Sequence, residues 1–208
     1  MATIEEYHKD FEKLQERFHE YMHKYPLFEE MVDEIYEKDI KEIHELLDKN
    51  DEYYLKKAMD AYSKYNIEAI GYYIKESEIP YKIEALLRKH RPDIVVITGH
   101  DSNTKNNSKY FAEAVKKCRK YQKDYDKLII IAGACQSDYE LLLKSGANFA
   151  SSPKRVNIHA LDPALIAISL SLLDKDREVN LIELLNKTSN GIDGIGGVTT
   201  KGVLRKGY

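Results

Sequence analysis

Hydrophobic residues recur at every third or fourth position along residues 1–50 of the chain. This spacing places them on one face of each of two predicted helices, separated at Pro26, which cannot lie inside a helix but suits a first turn. The two faces consist of Ile4, Tyr7, Phe11, Leu14, Phe18, Met22 and Tyr25, and of Phe28, Met31, Ile35, Ile43 and Leu47. The pattern predicts a helical hairpin or coiled-coil arm over residues 1–50. Such a pair either packs on its own domain, as most amphipathic helices do, or forms a partner surface such as a homodimer contact.

From Asp51 onward, helical patterns alternate with short runs that are apolar throughout. The predicted helices are Asp51–Tyr65, Pro80–Lys89, Ser108–Lys123, Ser137–Ser145 and Leu181–Asn190. The predicted strands are Ile67–Ile74, Asp93–Thr98, Leu128–Ala132 and Asn148–Ser151. Apolar strands separated by helices indicate parallel pairing with both sheet faces covered. Residues 51–208 are therefore predicted to form an α/β domain, a mostly parallel sheet flanked by helices in a three-layer, flavodoxin-like arrangement.

The C-terminal stretch has a different pattern. Gly191–Gly197 is rich in glycine, and Val198–Tyr208 is predicted to form a β-hairpin that turns near Lys201–Gly202. The sequence thus predicts that the α/β domain ends in a hairpin.

Composition limits the class of protein. The chain has 208 residues, 43% of them hydrophobic, which is enough for one core or one core with a small appendage. No apolar run approaches the roughly 20 residues that cross a bilayer, and no signal segment opens the chain, so we expect neither membrane association nor secretion. The two cysteines form no disulfide framework and have no metal-finger spacing, so a reducing cytosol and no metal or cofactor are expected.

The charge is distributed unevenly. Residues 1–50 carry 15 acidic and 7 basic side chains, a balance of −8 within a total of −3, so the remainder is +5. No stripe of lysine and arginine stands out on this mildly basic body. We therefore expect no nucleic-acid partner.

Two of the apolar strands run into residues that carry chemistry. The first is followed by Gly99, His100 and Asp101, and the second by Gly133 and, two residues later, Cys135. In an open parallel sheet, reacting groups collect beyond the carboxyl ends of the strands. If the two strands are neighbours, His100 can take the proton of the Cys135 thiol, and the thiolate is the nucleophile. A cysteine after a buried strand is usually a small core residue, and a lone histidine in a loop is usually not catalytic. The hypothesis of nucleophilic catalysis therefore depends on both residues occurring at equivalent strand ends.

Further features of these loops fit nucleophilic catalysis. The backbone N–H of Cys135, with one from Gly99 or Asp101, is predicted to form an oxyanion hole. A helix that begins at Ser137 would lower the pKa of Cys135 through its dipole. Glycines at 99 and 133 would let a substrate backbone approach closely.

Cys118 and His159 are assigned structural roles. Cys118 lies within a predicted helix between lysines and is interpreted as structural, and His159 as a packed or helix-capping residue. The competing interpretation of the domain is a non-catalytic, receiver-like interaction module. The chemistry argues against a working receiver, because Thr98 and Gly99 stand where the phosphorylated aspartate belongs and no acidic pair follows the first strand.

Seven motifs resemble the YabG family of sporulation-specific peptidases, over roughly three quarters of the chain from about Asp51. They are TGHD (Thr98–Asp101), NSKYF (Asn107–Phe111), AGACQS (Ala132–Ser137), GANFASSP (Gly146–Pro153), RVNIHALDP (Arg155–Pro163), GIGGV (Gly194–Val198) and TKGVLRKGY (Thr200–Tyr208). The resemblance implies a cysteine endopeptidase, made in the mother cell cytoplasm and acting at the forming spore coat. Its implied partners are protein substrates, namely spore coat, cortex-associated and germination proteins.

The order of His and Cys also resembles the caspase, clostripain and separase group, which implies a caspase-like fold with His100 as base and Cys135 as nucleophile. Clostripain-like members cut after arginine, and a buried guanidinium needs a carboxylate partner. Asp162 or Asp101 would supply it, and Gln136 would contact substrate beside the nucleophile. Asp162, which precedes Pro163, is equally well explained as a helix cap.

Overall fold

A computed structural model describes residues 51–99, 101 and 107–205, with side chains from residue 53 onward. These residues lie in the unit Asp51–Tyr208. The predicted arm over residues 1–50, its dimerisation surface and the domain boundary at Asn50 lie at or beyond the edge of the described residues and stay predictions.

The described residues alternate between helices and strands. The helices are α1 (Asp51–Lys64), α2 (Ile79–His90), α3 (Ser108–Tyr121), α4 (Tyr139–Lys144), α5 (Asp162–Leu172), α6 (Leu181–Leu185) and α7 (Gly191–Gly194), with a 3₁₀ turn at Glu76–Glu78 before α2. The strands are β1 (Ile94–Ile97), β2 (Ile129–Ala132), β3 (Phe149–Ser151) and β4 (Ile195–Gly197). The sheet order is β1-β2-β3-β4, in which the first three strands are parallel and β4 is antiparallel to β3.

Helices cover both faces of this sheet. The alternating direction of side chains in β2 sends Ile130 into one buried cluster with residues of α2, α3 and α4. Ile129 and Ile131 enter a second cluster with residues of α5 and α6. The predicted α/β class with a mostly parallel sheet in three layers is confirmed.

Two predicted strand features are wrong. Ile67–Ile74 forms no strand; its backbone passes over α1, where Gly71 lies against Leu55 and Met59, so it faces a helix instead of a strand partner. The described part of Val198–Tyr208 forms no hairpin, because its residues pair with an upstream segment. Lys201 bridges Glu178 and Leu204 bridges Asp174, while the strand β4 forms within the glycine-rich segment.

Helix α5 was not among the predicted helices. Nearly all of its residues are buried, including Leu165, Ile166, Ile168 and Leu170. A helix that is apolar on every side shows no helical periodicity in its sequence. Among the described residues, none of the helices has the length and apolar character that crossing a membrane requires.

The buried side chain of Asn148 joins three parts of the domain. Its Oδ1 accepts the N–H of Ile130 in β2 at 2.9 Å and Arg119 Nη2 in α3 at 2.8 Å. Its Nδ2 donates to Tyr125 O at 3.0 Å and to Thr200 Oγ1, near the C-terminus, at 3.4 Å. One amide thereby fixes the start of β3 against β2 and the last segment of the chain.

We predict that Asn148→Ala lowers the free energy of unfolding by about 3 kcal/mol, because it leaves the buried N–H of Ile130 without its acceptor and removes one of the acceptors of the Arg119 guanidinium. Urea unfolding followed by circular dichroism measures the change. Ser169→Ala is the matched control, since its hydroxyl is buried without a hydrogen-bond partner in the described part of the chain, and we expect a change within about 1 kcal/mol. Equal losses in the two variants would contradict the role of Asn148.

Candidate active site

The pairing of β1 with β2 brings two loops to one edge of the sheet. Ile97 lies opposite Ala132 in a parallel register, and the ladder continues with Gly133 N–H donating to Ile97 O at 2.9 Å. Cys135 is the third residue after Ala132, and His100 is the third residue after Ile97. The predicted adjacency of the two strands is confirmed. His100 itself lies outside the described residues, so the position of its imidazole stays a prediction.

Gly133 makes a turn immediately after β2. Its φ of +112° is a conformation that side chains rarely adopt. A Cβ at this position would also lie 2.9 Å from Leu142 Cδ1 and 3.2 Å from the backbone nitrogen of Ser151. Glycine therefore lets the chain leave the sheet sharply into residues Gly133–Asp138, here named the Cys135 loop.

Gly99 occupies a crowded position at the end of the neighbouring strand. A Cβ on Gly99 would lie 2.8 Å from Oε1 of Glu76, in the 3₁₀ turn before α2. The space that the sequence assigned to an approaching substrate thus holds a carboxylate of the protein.

The thiol of Cys135 is half-buried against the segment that follows β3. Its Sγ lies 3.4 Å from both the carbonyl oxygen of Ile158, to which it donates, and the N–H of Ile158. Burial raises the pKa of the Cys135 thiol, the Ile158 backbone opposes this, and the negative charge of Asp162 adds to the rise.

The predicted effect of a helix dipole on Cys135 is wrong. Helix α4 begins at Tyr139 with Asp138 as its N-cap, not at Ser137, and has only six residues. Cys135 thus lies outside the first turn, where such an effect is felt. Burial determines the direction of the shift in the pKa of the thiol.

Within the Cys135 loop, the backbone N–H of Cys135 is the one that has no acceptor in another described residue; it lies beside its own thiol, whose pKa it lowers. The others donate as follows: Gly133 to Ile97 O, Ala134 to Ser137 Oγ at 2.9 Å, Gln136 to Ser152 Oγ at 3.2 Å, Ser137 to Ala134 O at 3.3 Å and Asp138 to Ser108 Oγ at 2.7 Å. Of the donors that the sequence assigned to an oxyanion hole, Cys135 N–H is therefore not engaged by another described residue.

Asp101 is 7% exposed, and among the described residues three groups donate hydrogen bonds to its carboxylate. Asn107 N–H donates to Oδ1 at 2.7 Å, and the hydroxyls of Ser108 and Ser137 both donate to Oδ2, the latter at 3.1 Å. These contacts favour a structural role over recognition of a substrate guanidinium by Asp101.

Asp162 lies at the start of α5 and is 1% exposed. His159 N–H donates to its Oδ2 at 3.1 Å, and the backbone and hydroxyl of Ser189 donate to its Oδ1 at 3.1 and 2.9 Å. Burial raises the pKa of Asp162, against the nearby charge of His159. His159 Nδ1 in turn accepts Leu161 N–H at 3.2 Å. These bonds favour the helix-start role for Asp162 and confirm His159 as a capping residue of the preceding turn.

Gln136, next to Cys135, takes a left-handed backbone conformation with φ of +58°. Its Nε2 lies 3.4 Å from Asn157 Oδ1, and Asn157 O accepts Asn190 Nδ2 at 2.7 Å. The part of the site next to Cys135 is thus lined by amide side chains, of which the sequence identified only Gln136. The participation of Asn157 and Asn190 carries no local sequence signal.

The second cysteine behaves as the sequence predicted. Cys118 is fully buried in α3, and burial raises the pKa of its thiol to about 12. In the described ranges, no group of three or more His, Cys, Asp and Glu side chains is arranged to hold a metal ion.

Comparisons with known proteins identify the family. The sporulation-specific protease YabG of Bacillus subtilis (strain 168) is 45% identical over 168 residues, which cover 76% of this chain and 58% of that protein. The chain thus spans less than two thirds of the curated relative. No solved structure matches. A family model described as YabG peptidase U57 matches residues 2–208, beyond the three quarters that the motifs had marked. The chain belongs to the YabG peptidase U57 family.

Proposed function

We propose that this chain is a cysteine endopeptidase of sporulation, with Cys135 as nucleophile and His100 as general base. One structural observation carries the proposal. Ile97 and Ala132 are paired at the ends of neighbouring parallel strands, and His100 and Cys135 each follow three residues later in the sequence. The half-buried thiol beside an N–H that no other described residue engages supports it. Since the pKa of this thiol is raised, attack requires a base to take its proton, which is the part that an imidazole performs.

The reaction follows from these groups. Cys135 Sγ attacks the substrate carbonyl carbon while its proton passes to His100, and the carbonyl oxygen becomes an oxyanion. The N–H of Cys135, with that of Gly99 or Asp101, stabilises this charge. The tetrahedral intermediate collapses, the peptide C–N bond breaks, and the imidazolium protonates the amine that leaves. Water, deprotonated by His100, then hydrolyses the thioester and frees the thiol.

The substrates proposed are proteins of the spore coat, of the cortex and of germination, processed in the mother cell at the forming coat. The family membership and the sporulation role printed for the Bacillus subtilis relative support this. Cleavage after arginine is proposed from the resemblance to clostripain. The competing function, a non-catalytic module that docks on coat proteins, is distinguished by the substitutions below.

We predict that Cys135→Ala and His100→Ala each reduce kcat/KM for coat-protein cleavage by at least about a thousandfold, because nucleophile and base act as one unit. The assay follows cleavage of a purified coat protein by gel and mass spectrometry. Cys118→Ala is the matched control and should keep its activity, since that thiol is buried in α3. Cleavage by purified Cys135→Ala would refute the thiol mechanism, and absence of cleavage in every variant and in the native chain would favour the docking module.

Iodoacetamide should label Cys135 well before Cys118 near neutral pH. Cys135 is half-exposed, whereas Cys118 is enclosed and forms its thiolate only near pH 12, and the thiolate is the reacting form. Labelling should accelerate as the pH rises, because burial raises the pKa of Cys135 as well. Peptide mapping after timed quenching gives both rates. Equal, slow rates at the two cysteines would contradict an accessible nucleophile.

For Asp162→Asn we predict an effect on stability and none on specificity. The amide nitrogen would face donors from Ser189 or His159, which should lower the midpoint of thermal unfolding by about 4 °C. The ratio of kcat/KM for peptides with arginine or lysine before the scissile bond should stay unchanged, because the carboxylate is 1% exposed. Asp176→Asn, at an exposed position, is the control. A selective loss of cleavage after arginine would instead assign Asp162 to the substrate pocket.

A further inference from the structure

Two serine hydroxyls connect the backbone of the Cys135 loop to a single carboxylate oxygen. Ser137 Oγ accepts Ala134 N–H at 2.9 Å and donates to Asp101 Oδ2 at 3.1 Å. Ser108 Oγ accepts Asp138 N–H at 2.7 Å and donates to the same Oδ2. Both ends of the stretch that contains Cys135 are thus held, through one hydroxyl each, by Asp101.

The directions of these hydrogen bonds follow from the groups themselves. A hydroxyl has one proton to donate and lone pairs to accept with, and a carboxylate oxygen accepts. Since each serine proton is given to Asp101 Oδ2, each hydroxyl offers its lone pairs to a backbone N–H. Ser137 is fully buried, Ser108 is 3% exposed and Asp101 is 7% exposed, so water cannot readily replace either link.

The links also determine which N–H groups of the loop remain for a substrate. The amides of Ala134 and Asp138 point toward the serines, and Gln136 N–H donates to Ser152 Oγ. Among the described residues this leaves Cys135 N–H without an acceptor in another residue, beside its own thiol. Loss of either hydroxyl would release a neighbouring amide and let the peptide planes on each side of Cys135 rotate.

We propose that Asp101, through Ser137 and Ser108, is a positioning residue that aims the Cys135 N–H at the oxyanion. This inference rests on the proposed function of Cys135 as nucleophile. In this role the carboxylate of Asp101 holds the oxyanion hole in shape. The sequence had suggested two other roles for Asp101, namely donation of its backbone N–H and recognition of a substrate arginine. In the positioning role Asp101 acts through the two serine hydroxyls and the loop.

The test compares a reaction that needs the oxyanion hole with one that does not. Peptide hydrolysis and binding of a peptidyl aldehyde both place a negative oxygen in the hole, whereas in alkylation by iodoacetamide the sulfur displaces iodide from carbon and no oxyanion forms. For Ser137→Ala we expect kcat to fall about 10- to 100-fold with little change in KM, and the aldehyde to bind correspondingly more weakly. The rate of alkylation of Cys135 should change less than about twofold. Ser145→Ala, which removes a buried hydroxyl without a partner in the described residues, should leave all three measurements unchanged.

A double-mutant cycle tests whether the effect passes through Asp101. Asp101→Asn should reduce kcat at least as much as Ser137→Ala, because it removes the acceptor of both hydroxyls. In the Asp101→Asn background, Ser137→Ala should add less than about threefold, since residues that act in one network are not additive.

The outcomes separate this proposal from the one on which it rests. Unchanged kcat in Ser137→Ala, equal loss of hydrolysis and alkylation, or full additivity with Asp101→Asn would overturn the positioning role while Cys135 stays the nucleophile. Cleavage by Cys135→Ala would instead remove the thiol mechanism itself, and the positioning role with it. Circular dichroism and the midpoint of thermal unfolding for each variant establish that the comparison is made between folded proteins.

Discussion

The pairing of β1 with β2 is the constraint on which the site depends, because it determines where two loops leave the sheet. Ile97 lies opposite Ala132, and a slip of one residue would turn every side chain of a strand to the other face. β2 is buried on both sides, with Ile130 in one cluster and Ile131 in the other, so packing on both faces opposes such a slip. The origin of the Cys135 loop is therefore fixed by the two cores rather than by contacts within the loop.

The fold was predictable wherever a pattern was local. The runs around β1, β2 and β3 are apolar throughout and are bounded by helical patterns, which is typical of a parallel sheet. Helix α5 was not assigned because its residues are buried on every side, so that periodicity is absent. Ile67–Ile74 has the composition of a strand, but a strand forms only when another strand pairs with it. This segment lies against the helix α1 instead. Likewise, the partner of Lys201 is Glu178 and not a residue of its own hairpin, which local turn signals cannot reveal.

For the site, the sequence indicated which loops lie together but not the tertiary contacts around them. Cys135 follows a strand that could be recognised, and its position next to the end of β1 follows from parallel pairing alone. The contact between Ser137 and Asp101 joins residues 36 positions apart, and that between Ser189 and Asp162 joins residues 27 apart. Such contacts depend on tertiary packing. The sequence therefore does not distinguish an aspartate that is hydrogen-bonded within the fold from one that is available to bind substrate.

Two buried carboxylates act on the surroundings of Cys135 in different ways. Asp162 holds the turn that precedes α5, where Ile158 contacts Cys135 Sγ with both its N–H and its carbonyl oxygen. Its charge adds to burial in raising the pKa of Cys135, so the neutral thiol is favoured and nucleophilicity has to come from proton transfer. Asp101 acts on the backbone instead, through hydroxyls that occupy the amides of Ala134 and Asp138. In the proposed mechanism, the sulfur therefore stays unreactive until a base takes its proton, and the N–H of Cys135 is the group that meets the developing charge.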